Sequence, residues 1–448
     1  MDPISLFLLI VAGILVMGTL GEVIFVRTKV PDVLWLVLIG VLLGPVFHLV
    51  SRDFVWGLAP FFSALALVVI MFEGGLGLKL GELLSGAPRG FALAVLGVLF
   101  SVAAVVAVSE GLAFLGFLPG WSLPNSVLLG SIVGGTSSII IMPLGKTAKL
   151  REEVANLLSI ESAVNDTLCV VLVIAVIQFI LEPGSGLDTV VKNIAAQFSV
   201  GGFLGIVAGL LWLWLLRFLQ GTAYSYTLTF AVMMFLYVIS NAVNGSAAIT
   251  VLLFGVVLGN GAAISRALRF PEVIAFKQDA RGFHEQLSFF IKTFFFVFIG
   301  LLMSLETGTF LIGLAVSAAV LLVRPLAVWL SAAGGKFSSQ EKKLMTIAMP
   351  RGFAAAVLAV MPSTYGIPGS EQYTGIAFSV ILITILVFTI GFRFFCAPGS
   401  GNGSAGKGPP GKKVLEESKP MERPPREAVH LEAGPEPREV EGIREQDY

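Results

Sequence analysis

Ser159-Ile160-Glu161-Ser162-Ala163-Val164-Asn165-Asp166-Thr167 runs without interruption into the apolar segment Leu168 to Leu181. A charged side chain at the centre of a bilayer costs roughly 2.5–3.5 kcal/mol on insertion scales, so two carboxylates carried into a membrane helix mark a functional site. At 3.6 residues per turn, Ser162 and Asp166 share one face and Glu161 and Asn165 another, while Glu161 and Asp166 diverge by roughly 140°. The spacing predicts that Asp166 and the Ser162 hydroxyl line one oxygen-rich cavity while Glu161 and Asn165 reach toward neighbouring helices. Oxygen donors suit a hard cation such as sodium, and a carboxylate can take a proton instead. Two cargoes competing for one site point to exchange.

The rest of the chain says what surrounds that helix. Of 448 residues, 56% are hydrophobic and 13% charged, which reads as an all-α, polytopic membrane protein and excludes a soluble one. Thirteen apolar segments separated by Pro, Gly or charge are expected as transmembrane helices: 5–26, 33–49, 57–78, 90–117, 125–144, 154–181, 190–216, 226–241, 247–264, 285–303, 308–333, 344–363 and 374–395. Odd-numbered connections carry nearly all of the loop Lys and Arg, and even-numbered ones hold only Arg52 and Lys192. The positive-inside rule then places the N-terminus outside and the C-terminus in the cytoplasm of a multi-pass cell-membrane protein. Cys169 and Cys396 show no metal-ligand spacing. With no nucleophile and base pair and no phosphate-cradling loop either, an enzyme is not expected. Neither a cofactor nor a nucleic-acid partner is expected; the partners are membrane lipid and the transported ions.

Three basic residues fall inside apolar segments: Lys292, Arg324 and Arg351. Arg324 precedes Pro325 mid-segment, and Arg351 lies between Pro350 and Gly352, where proline frees backbone carbonyls and glycine permits a bend. Gly134-Gly135-Thr136-Ser137-Ser138 breaks the fifth segment in the same way. Weakened helices at corresponding positions point to two inverted six-helix repeats, segments one to six and eight to thirteen, with the site at the midplane. Lys292, about two turns inside the tenth segment, either snorkels to the cytoplasmic face or compensates an acid in the core. His284 reads as a solvated interfacial histidine able to sense pH.

Glu161-Ser162-x-x-Asn165-Asp166, together with Thr136 in a broken helix and two buried arginines, resembles the monovalent cation:proton antiporters, of the NhaP type related to sodium/proton exchangers. The resemblance covers nearly the whole of an expected transmembrane domain of residues 1–397, to about Phe395, and implies an NhaA/NhaP-like antiporter fold with crossing broken helices. It implies Asp166 as the carboxylate that alternately binds cation and proton, with Ser162, Glu161 and Thr136 at the transported sodium and Asn165 beside it. Arg324 is implied as the partner of Glu161, Arg351 as a second arginine steadying the core, and Glu73 as lining the cytoplasmic funnel, with Lys292 a further candidate for access or regulation. An Asn-Asp pair implies electroneutral one-for-one exchange, and the family implies a homodimer. Many relatives carry Asp-Pro after that threonine, where this chain has Ser137-Ser138. The expected activity is sodium/proton antiport that supports pH homeostasis. A potassium/proton antiporter on the same scaffold is the alternative, and a cation channel, with no filter repeat in view, is a weaker one. Residues 398–448 turn rich in Pro, Gly, Glu and Arg and are expected to be a disordered cytoplasmic tail.

Overall fold

The structure is a computed structural model, described over residues 3–28, 30–78, 81, 88–137, 140–141, 150–182, 187–219, 224–269, 278–303 and 306–395. The expected tail, 398–448, lies outside the described residues. Those residues form helices and connections, with no strand among them. A segment in hydrocarbon must satisfy its own backbone N–H and C=O groups, and a helix does so within itself.

In chain order the helices are α1 (Pro3–Thr28), α2 (Asp32–Val41), α3 (Arg52–Gly77), α4 (Pro88–Phe114), α5 (Leu123–Ile132), α6 (Glu152–Leu181), α7 (Leu187–Leu219), α8 (Ser225–Ala242), α9 (Ala247–Gly259), α10 (Gly261–Ala267), α11 (Gln278–Leu302), α12 (Thr307–Ser331), α13 (Ser339–Ile347), α14 (Phe353–Thr364) and α15 (Ser370–Phe395). A π-helical turn carrying Pro45, Leu42–Val46, prolongs α2. Among the described residues, eight helices are long and apolar enough to cross a membrane, or nine if the pair α9 and α10, bent by 71°, is one span. Four shorter apolar helices, Val11–Gly21, Asp32–Val46, Leu123–Ile132 and Phe353–Thr364, coincide with the remaining four of the thirteen expected segments. By length and composition, eight or nine of the thirteen expected segments are each long enough to cross on their own among the described residues. In three of the shorter ones proline or glycine interrupts the segment, at Pro45, at Gly134-Gly135 and at Pro350 to Gly352, whereas Val11–Gly21 lies within the continuous helix α1.

Glycine sets how closely the helices pack. A Cβ at Gly40 of α2 would lie 2.1 Å from the Val297 carbonyl oxygen of α11, and one at Gly300 of α11 would lie 2.2 Å from that of Val37. Between α3 and α9 the same thing happens: a Cβ at Gly75 would lie 2.2 Å from the Leu252 oxygen and one at Gly255 would lie 2.7 Å from that of Phe72. These two backbone-to-backbone contacts join segments two and ten, and three and nine. Exchanging the halves of a six-plus-six repeat turns one pair into the other, as the inverted-repeat reading requires. Large apolar side chains such as Phe203, Phe235, Leu322 and Trp329 face outward, as a lipid-facing surface demands. Phe295 and Phe296 turn inward instead and pack on Phe353 of α14.

Candidate functional site

The two breaks meet. Helix α5 ends at Ile132 and residues 134–137 lie outside any helix, while Ala348 to Gly352 separate α13 from α14. Ser137 N–H donates to the Pro350 carbonyl at 2.9 Å, so each broken segment supplies a partner to the other. A Cβ at Gly352 would lie 2.3 Å from Ser137 Oγ, which is why only glycine fits at this crossing.

Helix α6 runs past the crossing and its side chains stitch it together. Ser162 Oγ donates to the Thr136 carbonyl at 2.9 Å, and Asn165 Nδ2 donates to Thr136 Oγ1 at 2.8 Å. Thr136 Oγ1 in turn donates to Glu161 Oε1 at 3.4 Å. Both Glu161 oxygens accept from Arg324 of α12, Nη2 to Oε2 at 2.9 Å and Nη1 to Oε1. Arg324 also donates to the Met345 and Ala348 carbonyls that the end of α13 leaves without helical partners, at 3.1 and 3.2 Å. Glu161, Ser162 and Asn165 are each at most 1% exposed. Arg351 closes the opposite side: its Nη1 donates to the Gly135 carbonyl at 2.6 Å, its Nη2 to Ser101 Oγ of α4 at 3.2 Å, and its backbone N–H to Thr384 Oγ1 of α15 at 3.0 Å. Both arginines thus cap carbonyls freed by broken helices, the role of a buried cation that needs donors' targets on every side.

Asp166 is treated differently. It lines a cavity of about 220 Å³ together with Glu73, Ser137, Ser159 and the α14 residues Phe353 and Ala354. Among the described residues it forms no ion pair, and its Oδ1 lies 3.2 Å from where a Cβ on Gly135 would be. The neighbouring Asn165 Oδ1 is a buried acceptor without a hydrogen-bond partner. The third carboxylate, Glu73 of α3, is held by Lys292 of α11, with Nζ 2.7 Å from Oε2 and 2.9 Å from Oε1.

Several expectations change in this light. Ser162 does not share the cavity with Asp166; the break at Thr136 exposes a carbonyl that captures the serine hydroxyl, and Ser159 and Ser137 take its place on the cavity wall. Glu161 and Thr136 are brought beside Asp166 but spend their oxygens on each other and on Arg324. Lys292 does not snorkel: its side chain is 14% exposed and faces the acid on α3, so it compensates a charge in the core. His284 is not solvated; it is buried against Phe72, with Tyr226 Oη at its Nδ1 and Ser288 Oγ 3.4 Å from its Nε2. Sequence reading missed Ser101 and Ser159; a lone serine in an apolar helix signals a partner without saying which.

Residues 10–397 match the family described as "Sodium/hydrogen exchanger, transmembrane". A "K(+)/H(+) antiporter NhaP2" of Shewanella sp. (strain ANA-3) is 30% identical over 397 residues, covering 86% of this chain and 66% of that protein. The chain thus spans about two thirds of the length of that relative. "Na(+)/H(+) antiporter 1" of Methanocaldococcus jannaschii is 25% identical over 361 residues, 77% of this chain and 80% of the relative. Among solved structures, that of the sodium proton antiporter MjNhaP1 from Methanocaldococcus jannaschii at pH 8 superposes with a TM-score of 0.71 at 21% identity, covering 87% of this chain and 100% of that one, a likeness of fold. With the match running through both broken segments and α6, the chain belongs to the transmembrane sodium/hydrogen exchanger family, a family of transporters and not of enzymes.

Proposed function

We propose that this protein is a secondary antiporter of the cell membrane that exchanges one monovalent cation, sodium in the first instance, for one proton at Asp166. The observation that carries this reading is the fate of the three carboxylates: Glu161 is bound to Arg324, Glu73 is bound to Lys292, and Asp166 faces the cavity with no ion pair among the described residues. A carboxylate in a low-dielectric site attracts either a cation or a proton, and each excludes the other. Ser162, Thr136 and Asn165 form the wall behind it and offer oxygens to the cation when their mutual hydrogen bonds exchange. Glu161 contributes chiefly as the anchor of that wall.

Alternating access has support in a second cavity, of about 240 Å³, lined by Leu67 of α3, Ile174 and Gln178 of α6, and Met361 of α14. The two cavities lie along the same three helices, about 12 Å apart by helical rise from Asp166 to Ile174. At the intervening levels of those helices, Val170 and Val173 of α6 and Val357 and Leu358 of α14 are all 2% exposed or less. Such a dry apolar layer favours a carrier over a channel, because a channel needs a continuous polar path. The basic odd-numbered connections support a cytoplasmic opening for the Asp166 cavity, at the end where α3 finishes and α6 begins. Homodimer assembly rests on resemblance.

Potassium is the second reading, favoured by the name of the Shewanella relative. Dissipation of a pH gradient in proteoliposomes, with sodium and then potassium and with the membrane potential free or clamped, tests all of this. Collapse by a cation at equal rates under both conditions is the expected outcome, and the effective cation names the cargo. Collapse that follows the voltage would overturn one-for-one exchange.

A further inference from the structure

Lys292 has no place in the exchange so far, yet it sits at the cavity. Its ammonium touches both oxygens of Glu73, and it lies 6.0 Å from the ring centroid of Phe353, which lines the same cavity as Glu73 and Asp166. The Glu73 side chain is 37% exposed, so this carboxylate is open to the cavity and not sealed like Glu161. Gly74 and Gly77 follow it on the cavity wall and leave room around it. Left alone, Glu73 would be a second anionic ligand for a cation, and two carboxylates with nearby hydroxyls are a donor set that suits a divalent ion.

We propose that Lys292, by holding Glu73 in an ion pair, restricts the cavity to a single exchangeable negative charge and thereby sets both the valence of the cargo and its one-for-one coupling to protons. The inference rests on Asp166 being the exchange site. The other charges facing this region are constant: Glu161 and Arg324 cancel each other, and Arg351 stays bound to the Gly135 carbonyl and Ser101. With Lys292 in place, one proton or one monovalent cation on Asp166 leaves the site with the same charge, so the two loaded forms are electrically alike. A divalent cation would leave one charge too many. The pair is not needed merely to staple α3 to α11, since Phe62 stacks on Phe298 and Phe72 meets His284 edge-on between the same helices.

The test is the cation KM of pH-gradient dissipation in proteoliposomes of the full chain, for Glu73→Gln, Lys292→Gln and the double variant, with added Ca²⁺ as the divalent probe. Charge at this range in a partly screened site predicts shifts on the order of tenfold. Glu73→Gln leaves an uncompensated ammonium and should raise KM. Lys292→Gln leaves an uncompensated carboxylate, and should lower KM and make exchange sensitive to Ca²⁺. The double variant, again with one net negative charge, should return KM toward the wild-type value and lose the Ca²⁺ sensitivity. Because it buries no unpaired charge, it decides the matter even if a single variant fails to fold. Shifts of the same sign in both singles, or a double variant that remains Ca²⁺-sensitive, would overturn the role of Lys292. A wild-type protein that exchanges neither sodium nor potassium would instead overturn the antiport reading itself.

Discussion

Glu161 is 1% exposed and held through both oxygens by Arg324, whereas Asp166, five residues along the same helix, faces a cavity of about 220 Å³ without an ion pair among the described residues. The helical step between them turns one acid toward α12 and the end of α13 and the other toward α3 and α14. Neighbouring carboxylates of similar chemistry are thereby assigned opposite tasks, one to hold broken helices together and one to stay available. A buried ion pair with further hydrogen bonds is costly to break by removing one member, because the other is left buried and uncompensated. A carboxylate facing a cavity can lose its charge at little structural cost.

That contrast can be broken from either side. Asp166→Asn should abolish cation-driven proton movement, the largest effect expected here, while the melting temperature stays near wild type; persistent exchange in proteoliposomes would return the site to Glu161 or Glu73. Arg324→Ala should do the reverse and destabilise the fold by about 3–5 kcal/mol, since it strands Glu161 and uncovers the Met345 and Ala348 carbonyls. An unchanged melting temperature with lost transport would show that the pair serves ions directly. Gly352→Ala drives a methyl group into Ser137 and should cost about 1–3 kcal/mol, read as a lower melting temperature with slower exchange, because it parts the crossing on which Thr136 depends. Finally, the proposed competition of protons and cations for Asp166 predicts an apparent cation KM that rises as pH falls, by up to about tenfold per unit once the carboxylate is mostly protonated, and levels off at high pH where it is ionised. A KM independent of pH would mean that cation and proton bind at separate places.

Much of this was legible before any coordinates. The helical phase of Glu161, Ser162, Asn165 and Asp166 correctly sent Glu161 and Asn165 toward neighbouring elements, and Gly134-Gly135 and Pro350 marked where helices break. The Glu161–Arg324 pair was implied by the resemblance to the antiporters, and the structure has it. Lys292 was harder. Its depth in the tenth segment allowed either an interfacial or an internal position, and the choice depended on Glu73, distant in sequence and brought near only by the packing of α3 and α11. Ser162 was misplaced for a similar reason, because its preferred partner is a backbone carbonyl and every residue carries one. His284 shows the same limit: its burial comes from Phe72 and Tyr226, on helices whose approach no local pattern encodes.

By itself, the sequence determined the solvent, the helical segments, the two weakened crossings and the identity of the acids and bases inside the membrane. Those properties are local: apolar length, proline, glycine and the cost of a charge in hydrocarbon act within a few residues. The tertiary structure decided which acid is paired and which is left open, because pairing needs atoms within about 3 Å and only the close approach of distant helices provides that. Glycines without side chains at 40, 75, 255 and 300 allow that approach, and it leaves Asp166 facing the cavity with no ion pair among the described residues.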